Sequence, residues 1–432
     1  MAKNNVEVQV FETDFAVLLR ESVTYEIKME PKSSSKLVSV VLICIILAVS
    51  GIVYFGYFCP DQVCALTTKE TGWADWTPKI PSQDNLGKPL AIHSDPVSAK
   101  ISSPGLSYDD VLNENFQFDM KAHDVMVFLH IQKTGGTSFG RHLVQDLDLE
   151  RPCTCHRKRK RCYCFRPNRN EVWLFSRYST GWKCGLHADW TELTSCVDSV
   201  LDRNEGDSVK RRYFYITLLR EPVSRYLSEF RHVQRGATWR NSRHICGGRP
   251  ATHAELPPCY AGSTWKGVTL EEFTACPYNL ANNRQTRMLA DLSLVGCYNR
   301  SYMPSEAERS RVLLASAKRN LAAMAFFGLT EHQRISQYVF EETFGLRFAV
   351  PFEQHNTTLS GATRSSLDPV WLERVKSLNA LDIELYDFAR RLMYERFNHL
   401  KARDAQFDEH YSHLGILPSG RDFSWDFLEN DE

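Results

Sequence analysis

The sequence has 432 residues, with 52 lysine and arginine residues, 52 aspartate and glutamate residues and a formal net charge of +0. This length allows one large folded domain with extensions, and the balanced charge excludes any inference about partners from overall charge. The 13 cysteines, eleven of them at or after Cys64, are more than a reducing compartment usually holds.

The first predicted element is the stretch 37–59, LVSVVLICIILAVSGIVYFGYFC, which has no charged residue across 23 positions. As a helix it would measure roughly 34 Å, enough to cross a bilayer core of about 30 Å. A cleaved signal peptide is disfavoured because the apolar stretch is too long and begins far from the N-terminus. A buried globular helix rarely runs this long without a polar residue. We predict a single-pass signal anchor.

The flanking charges set the orientation of this anchor. Lys28, Lys32 and Lys36 lie shortly before it, and Asp61 is the first charged residue after it. Because positive flanks stay cytosolic, residues 1–36 are predicted as a cytosolic tail and everything after the anchor as lumenal or extracellular. In that compartment cysteines can oxidise, and the sequons at Asn299 and Asn356 are accessible for glycosylation.

Composition divides the rest of the chain into three parts. Residues 60–120 contain Pro, Ser, Asp and Lys without sustained periodicity and are predicted as a lumenal stem. Residues 121–402 have the patterns of a globular domain. Residues 403–432 hold eight acids against two basic residues and are predicted as a loose acidic tail.

Two strand–loop–helix units stand out in the globular part. In the first, the strand VMVFLH (125–130) leads to the helical SFGRHLVQDL (138–147). In the second, YFYITLL (213–219) leads through Arg-Glu-Pro to VSRYLSEFRHVQ (223–234). Both strands are nearly continuous apolar runs, so we predict the α/β class, a parallel sheet flanked by helices. Further helices are predicted over 304–325, 331–344 and 368–400.

The loop of the first unit, QKTGGTS, has the composition of an anion site. Gly135 and Gly136 allow close backbone approach, and Lys133 adds a charge near the start of the following helix. Thr137 and Ser138 add hydroxyl donors. The common nucleotide loop instead places its lysine after the glycines, and no acidic strand that would hold magnesium matches it. This order argues against a metal-dependent ATPase or GTPase.

The second unit offers another phosphate contact. Arg220 follows its strand, and Ser228 lies eight residues further on, within the helix. Arginine binds phosphate through two parallel hydrogen bonds, and a nearby hydroxyl can complete the contact. Alone this pair means little, but on the same sheet edge as the first loop it indicates a nucleotide held at both ends.

These motifs resemble those of a known family. QKTGGTSF is similar to the 5′-phosphosulfate loop of Golgi sulfotransferases, and LLREPVSRYLSEF is similar to their 3′-phosphate element. FSRYSTGWKCGLHADWTEL, SRYLSEFRHVQRGATW, CPYNLANNRQTRML and MAFFGLTE resemble heparan sulfate 6-O-sulfotransferases.

The resemblance covers about residues 121–400 and implies a P-loop-like sulfotransferase fold behind the anchor, in the Golgi membrane. It also implies use of PAPS (3′-phosphoadenosine 5′-phosphosulfate) without a metal, with Thr134 and the rest of the loop in donor binding.

A histidine is the predicted catalytic base. By analogy with phosphoryl transfer, sulfuryl transfer to a sugar hydroxyl needs positioned groups and a base near the attacking oxygen. The resemblance places this base on His187 in GLHADW, whereas a structural histidine held by Asp189 or a backbone carbonyl is the alternative. His130 and His142 are weaker rivals. Lys133 would neutralise charge on the donor and on its leaving phosphate oxygen.

The charge distribution suits a polyanionic acceptor. Residues 151–170 contain eight arginine or lysine residues and no acid. This stripe fits heparan sulfate; nucleic acid would suit the charge equally but is seldom met in the lumen. Three tryptophans, Trp173, Trp190 and Trp265, are predicted as core residues. The resemblance implies that five side chains contact the glycan: Lys160, Arg161, Trp182, His232 and Trp239.

Two Cys-x-Cys pairs, at 153–155 and 162–164, lie within the basic segment. Their spacing differs from the usual zinc spacing and the compartment oxidises thiols, so we predict disulfides that brace this loop. The same framework is expected to include six more cysteines, with the pairing left open: Cys184, Cys196, Cys246, Cys259, Cys276 and Cys297.

Three other interpretations stay open at this point. A carbohydrate sulfotransferase acting at another position, such as the 2-hydroxyl, would show a similar loop and base. A non-catalytic lumenal heparin-binding protein would keep the basic stripe, but the intact loop and histidine argue against it. A nucleotide kinase would need metal-binding acids that the sequence does not offer. The oligomeric state is left open.

Overall fold

The computed structural model of the chain describes residues 118–157, 159–206, 210–350, 352 and 364–414. The predicted cytosolic tail, the predicted anchor and nearly all of the predicted stem lie outside these residues, as does Asn356. Among the described residues, no helix combines the length and the apolar character that crossing a bilayer requires.

Four parallel strands form the central sheet, and its strand order is β2-β1-β3-β4. All of β1 is buried, and so is β3 after its first residue, as expected for strands covered on both faces. The parallel sheet with flanking helices predicted from the two apolar runs is confirmed. In chain order the strands are β1 (Asp124–Leu129), β2 (Leu174–Phe175), β3 (Arg212–Leu219) and β4 (Phe326–Leu329).

Two short antiparallel hairpins lie outside the sheet. The basic hairpin pairs Thr154–Cys155 with Cys162–Tyr163 and carries the basic stripe. A second hairpin pairs Ile245–Cys246 with Arg249–Pro250. Each strand has only two residues, so backbone pairing alone would hold these hairpins weakly.

The described helices flank the sheet and follow its strands. The first helix begins at Gly136, the second residue of the glycine pair, and the third begins with Pro222 in its first turn, as predicted. The helices are α1 (Gly136–Gln145), α2 (Trp190–Glu205), α3 (Pro222–Gln234), α4 (Leu270–Ala275), α5 (Arg284–Leu289), α6 (Glu306–Ala323), α7 (Gln333–Phe344), α8 (Pro369–Leu378), α9 (Ala380–Arg403) and α10 (Phe407–His413). Short 3₁₀ turns occur at Leu292–Val295, Arg300–Tyr302 and Thr330–His332.

The single helix predicted over 368–400 is wrong in one respect, because it is broken at Asn379. This residue is fully buried, and its side-chain amide donates to the carbonyl of Val375 at 2.8 Å. The short polar side chain thereby competes for backbone groups at the point where α8 ends and α9 begins. A periodic apolar pattern alone does not reveal such a break.

The beginning of the predicted acidic tail is ordered. Helix α10 packs its aromatic side chains on α7 and α9, where the Phe407 ring lies 5.3 Å from that of Tyr338. The Tyr338 hydroxyl donates to Asp404 at 2.9 Å. The expectation of a loose tail is therefore wrong for residues 404–414, since aromatic packing anchors them.

Two apolar clusters support the domain. The larger surrounds the sheet and includes Trp173 and Trp190. The smaller lies between α3, α4 and α8, and Trp265 packs against it. The three tryptophans predicted as core residues therefore belong to these clusters.

Five disulfides connect the ten cysteines of the predicted framework, which confirms disulfide bonding, and the four cysteines of the basic hairpin pair with one another. Two of them run side by side across that hairpin and its flank. Nothing in the spacing predicts the longest connection, which spans 51 residues. The pairs are Cys153–Cys164, Cys155–Cys162, Cys184–Cys196, Cys246–Cys297 and Cys259–Cys276.

Candidate active site

The loop after β1 is shaped for an anion. Lys133 and Gly135 adopt left-handed backbone conformations, with φ of 64° and 82°. Successive turns of this kind direct backbone N–H groups into a concavity, and α1 adds the positive end of its dipole. A Cβ atom at Gly136 would lie 2.4 Å from Cδ2 of His130, so the backbone lies too close to this ring for any side chain. The glycine pair is thus needed for space as well as conformation.

A cavity of about 160 Å³ opens over this loop. It joins the two strand–loop–helix units, since Arg220 and Ser228 come from the second unit and the loop residues from the first. Leu129 and Leu219 end the parallel strands β1 and β3, so both loops reach the same sheet edge. We call it the donor cavity; its lining is His130, Gln132, Lys133, Gly135, Gly136, Thr137, Ser138, His187, Arg220, Ser228 and Trp239.

Thr134 differs from its neighbours in the loop. Its side chain is buried, and Oγ1 donates to the carbonyl of Ile131 at 3.0 Å, away from the donor cavity. Its own carbonyl lies 2.6 Å from Oγ1 of Thr330, which is also 2.9 Å from the carbonyl of Leu219. Thr134 therefore ties the loop to the ends of β3 and β4, and its role in donor binding stays a prediction.

Arg220 carries a buried positive charge at the wall of the donor cavity. Its Nη1 donates to the carbonyl of Lys133 at 3.3 Å, and Glu331 lies 4.0 Å from Nε. Burial lowers the pKa of Arg220, while the Glu331 carboxylate opposes this change. An arginine stays charged under these conditions, so burial keeps an anion-binding group in a weakly screened position.

His187 also lines the donor cavity. Its Nδ1 is 2.9 Å from the carbonyl oxygen of His130, and its backbone is left-handed, with φ of 52°. Because a carbonyl accepts only, Nδ1 carries the hydrogen and Nε2 holds the lone pair of the neutral ring. The alternative partner Asp189 instead caps α2, accepting from the N–H of Glu192 at 3.0 Å. A ring oriented in this way can accept a proton at Nε2.

The two rival histidines have other positions. His142 is buried on α1, where Nδ1 lies 2.7 Å from the Asp146 carboxylate, and it does not line the donor cavity. His130 does line it, with its ring stacked 5.3 Å from Phe128 and 5.8 Å from Trp182. His130 therefore packs against the loop glycines as a wall, which favours His187 as the base.

A second and larger cavity, of about 540 Å³, adjoins the first. His187 and Trp239 line both cavities, so the two spaces meet at these residues. Trp182 adds an indole 4.8 Å from the His187 ring, and the Arg177 guanidinium lies 5.4 Å from that indole. We call this the acceptor cavity. Indole faces and guanidinium groups suit a sulfated sugar.

The remaining predicted glycan residues do not line the acceptor cavity. Arg161 is exposed on the basic hairpin, and its Nη1 donates to the carbonyl of Thr180 at 3.3 Å, close to Trp182 in sequence. Lys160 is exposed beside it. The His232 ring lies 5.5 Å from Trp239. Their roles in glycan binding stay predictions.

Trp239 is supported from behind by a buried charge network that sequence reasoning missed. Arg284 places its guanidinium 5.5 Å from the indole centre and donates to Glu229, which Arg225 also contacts. Burial alone would raise the pKa of Glu229, but the two guanidinium charges lower it to about 2. Burial lowers the pKa of Arg284 to about 10. Glu229 and Arg284 are therefore both charged at neutral pH.

Three side chains outside this site approach metal-binding geometry. Ligand atoms of Glu342, Asp404 and His410 lie within 4.8 Å of one another. Arg347 already contacts Glu342 at 2.7 Å, and the hydroxyl of Tyr338 donates to Asp404. The cluster is accounted for by ion pairing that holds the C-terminal helix.

A loop shaped for an anion, a second cationic wall and an oriented histidine between two cavities are features of a group-transfer enzyme. A sequence model of the sulfotransferase family matches residues 116–389, which comprise more than half of the chain.

Curated relatives narrow this assignment. Heparan-sulfate 6-O-sulfotransferase 1 of Homo sapiens is 61% identical over 290 residues, covering 67% of this chain and 70% of the relative. Heparan-sulfate 6-O-sulfotransferase 2 of Gallus gallus is 48% identical over 380 residues, covering 88% of this chain and 90% of the relative. Heparan-sulfate 6-O-sulfotransferase 1-A of Danio rerio is 62% identical over 280 residues, covering 65% and 67%. The chain belongs to the heparan-sulfate 6-O-sulfotransferase family and is a sulfotransferase.

Proposed function

We propose that this protein transfers a sulfuryl group from PAPS to the 6-hydroxyl of glucosamine residues in heparan sulfate, with His187 as the general base. One observation carries this proposal: His187 lines both the donor cavity and the acceptor cavity. A base at this junction can reach a hydroxyl in one cavity while the donor occupies the other.

The donor cavity fits a nucleotide with phosphates at both ends. Gly136 leaves room where a Cβ would collide with His130, so an anion can approach the backbone N–H groups. Arg220 and Ser228 would hold the 3′-phosphate, and Lys133 with Gly135, Thr137 and Ser138 would hold the phosphosulfate. In PAPS the sulfuryl group is bonded to the 5′-phosphate, which is the leaving group of the transfer. Lys133 would stabilise the negative charge that grows on the departing oxygen.

The hydrogen bond from Nδ1 to the His130 carbonyl prepares His187 for its role. It leaves Nε2 as the acceptor of the hydroxyl proton and stabilises the imidazolium that results. Because Nδ1 is already engaged, the ring does not need to reorient when the proton arrives. This arrangement needs no metal ion.

The acceptor cavity and the basic hairpin would bind the glycan. Trp182 and Trp239 provide flat apolar faces for sugar rings, and Arg177 lies beside the first of them. Lys160, Arg161 and His232 would contact carboxylate and sulfate groups further along the chain. The exposed positions on the basic hairpin suit a polymer that extends beyond the cavity.

We also propose that the protein acts in the Golgi lumen as a single-pass type II membrane protein anchored by residues 37–59. The five disulfides fit an oxidising lumen. Asn299 is exposed, and its side chain caps the turn at Arg300–Tyr302. Glycosidase treatment tests the lumenal placement. It should lower the apparent mass of the wild type and leave that of the double variant Asn299→Gln, Asn356→Gln unchanged.

The decisive experiment uses the full chain from a secretory host, labelled PAPS and desulfated heparan, with disaccharide analysis of the product. Label at glucosamine C6 that is lost in His187→Ala supports both the reaction and the base. Label at another position, such as the 2-hydroxyl, would overturn the assignment to the 6-hydroxyl and leave a sulfotransferase of different regiospecificity. Heparin binding without transfer by the wild type would overturn the enzyme assignment and leave a binding protein.

A further inference from the structure

Two adjacent residues at the start of α5, Arg284 and Gln285, lie behind different walls of the site. Arg284 packs behind Trp239, which lines both cavities. Gln285 contacts Arg220, which lines the donor cavity alone. Neither Arg284 nor Gln285 lines a cavity itself, so any effect on the reaction would be indirect.

Gln285 holds the backbone of Arg220 from both sides. Its Nε2 donates to the Arg220 carbonyl at 2.9 Å, and its Oε1 accepts from the Arg220 N–H, also at 2.9 Å. The β3–β4 pairing ends one residue earlier, at Leu219. The Gln285 amide therefore makes the two backbone hydrogen bonds to Arg220 that a neighbouring strand would otherwise make. These bonds fix the backbone position from which the Arg220 side chain extends. Gln285 is only 1% exposed, so water does not compete for these bonds.

Arg284 holds the indole of Trp239. Its Nε donates to Glu229 at 2.7 Å and its Nη2 contacts the other carboxylate oxygen, so the planar guanidinium is fixed by a two-point contact. The guanidinium carbon lies 5.5 Å from the indole centre, and Arg284 is only 4% exposed. Trp239 also has a left-handed backbone, with φ of 46°. A fixed cation behind the ring compensates for that unfavourable conformation.

The start of α5, which carries both residues, is anchored on α9. The Asp382 carboxylate accepts from the N–H groups of Gln285 at 3.1 Å and Thr286 at 2.7 Å. In return, Oδ1 of Asn283 accepts from the N–H groups of Leu381 at 3.0 Å and Asp382 at 3.2 Å. Each helix thus caps the start of the other. Asp382 is fully buried, so α5 cannot shift without breaking both caps.

We propose that Arg284 and Gln285 are positioning residues for different substrates, Gln285 for the nucleotide donor through Arg220 and Arg284 for the glycan acceptor through Trp239, with Asp382 as their common anchor. The assignment of each wall to a substrate rests on the proposed function. Substitutions of these two neighbouring residues should therefore affect different substrates, one the donor and the other the acceptor. A general loss of stability would affect both substrates alike.

The test uses the full chain in detergent and two measurements. Binding of adenosine 3′,5′-bisphosphate is measured by calorimetry, and the KM for desulfated heparan is measured at saturating PAPS. Gln285→Leu should raise the Kd for the bisphosphate about tenfold, with a glycan KM within about twofold of the wild type. Arg284→Lys keeps the charge but loses the two-point contact, and it should show the opposite pattern. Asp382→Asn should raise both constants.

Gln337→Leu is the matched control. Gln337 is a buried glutamine, 3% exposed, that accepts from the N–H of Phe352 and lines neither cavity. It should lower Tm and leave both constants unchanged. Equal effects of Gln285→Leu and Arg284→Lys on both constants, in proportion to Tm, would overturn the proposal.

Arg220→Ala separates this proposal from the proposed function. Weakened bisphosphate binding in Arg220→Ala together with wild-type binding in Gln285→Leu overturns the positioning role alone. Wild-type binding in Arg220→Ala overturns the donor assignment itself. Weakened binding in both variants, with an unchanged glycan KM in Gln285→Leu, supports the positioning role.

Discussion

Nδ1 of His187 lies 2.9 Å from the carbonyl oxygen of His130, the residue that directly follows β1. The ring of the same His130 lies against Gly136, where a Cβ would come within 2.4 Å of it. One residue at the end of a strand therefore orients the proposed base with its backbone and borders the anion loop with its ring. The geometry of base and loop is coupled through this residue.

The first prediction concerns the base. His187→Ala should lower kcat by about 10²–10⁴-fold, because the acceptor hydroxyl loses its proton acceptor. The Kd for adenosine 3′,5′-bisphosphate should stay close to that of the wild type. His142→Gln, a buried histidine on α1 outside the donor cavity, is the control and should keep its kcat. An equal loss in both variants would remove the distinction between His187 and its rival.

The second prediction concerns space in the anion loop. Gly136→Ala should weaken bisphosphate binding strongly, because the added methyl group would displace the His130 ring or the loop. Overpacking of this kind costs about 1–3 kcal/mol of stability, measurable by chemical denaturation. Gly262→Ala is the control, because its Cβ would find its nearest atom at 3.5 Å. Unchanged binding in Gly136→Ala would show that the close approach is not needed.

The third prediction concerns the basic hairpin. Replacing Cys155 and Cys162 with alanine should raise the KM for desulfated heparan several-fold, since two-residue strands hold the exposed cations poorly without the disulfide. Bisphosphate binding should be unaffected. The pair Cys259–Cys276, replaced in the same way, provides the comparison. A wild-type glycan KM in the hairpin variant would exclude a role for its shape in acceptor binding.

The fourth prediction concerns pH and Asp189. Burial, followed by the neighbouring Glu192 carboxylate, raises the pKa of Asp189 from 3.8 to about 7. Because the pKa is higher in the folded state, the contribution of this carboxyl to the free energy of unfolding is complete below pH 3.8. It is lost as the pH rises to about 7, where the buried group has to ionise.

The Tm of the wild type should therefore fall between pH 5 and pH 7 by more than the Tm of Asp189→Asn, which keeps a capping oxygen but does not ionise. Asp368→Asn, at the exposed start of α8, should follow the wild type. Parallel Tm profiles for all three proteins would contradict the assignment to Asp189.

The fifth prediction concerns the buried network behind Trp239. Glu229→Gln would remove the carboxylate that pairs with Arg284 and one of the two carboxylates near Arg225, at a cost of about 3–5 kcal/mol of stability. Glu384→Gln breaks an exposed pair with Lys318 and should cost about 1 kcal/mol or less. Both values can be measured by urea denaturation.

The same network should affect acid stability. The pKa of Glu229 is about 2 in the folded protein against an ordinary value of 4.5, so its contribution is present above pH 4.5 and is lost as the pH falls towards 2. Glu229→Gln should show a smaller fall in Tm over this interval. An identical acid profile would show that the carboxylate is not the titrating group.

Sequence reasoning recovered the parts of the site that lie next to strand ends. Arg220 directly follows β3, and Lys133, Gly135 and Gly136 lie in the loop after β1, so their common sheet edge could be predicted from parallel pairing. Gln285 could not, because it lies 65 residues from its partner and has no strand beside it. Its one signal was membership of the CPYNLANNRQTRML block.

The sequence by itself determined the α/β class, the anion loop and the presence of a disulfide framework, because each depends on local composition and on residues close in the chain. The tertiary structure alone decided the pairing of Cys246 with Cys297, the inward turn of Thr134 and the break at Asn379. It also brought His187 to the junction of the two cavities. These features depend on tertiary contacts between residues that are distant in the chain. Local sequence patterns do not predict such contacts, because they form only when the core packs.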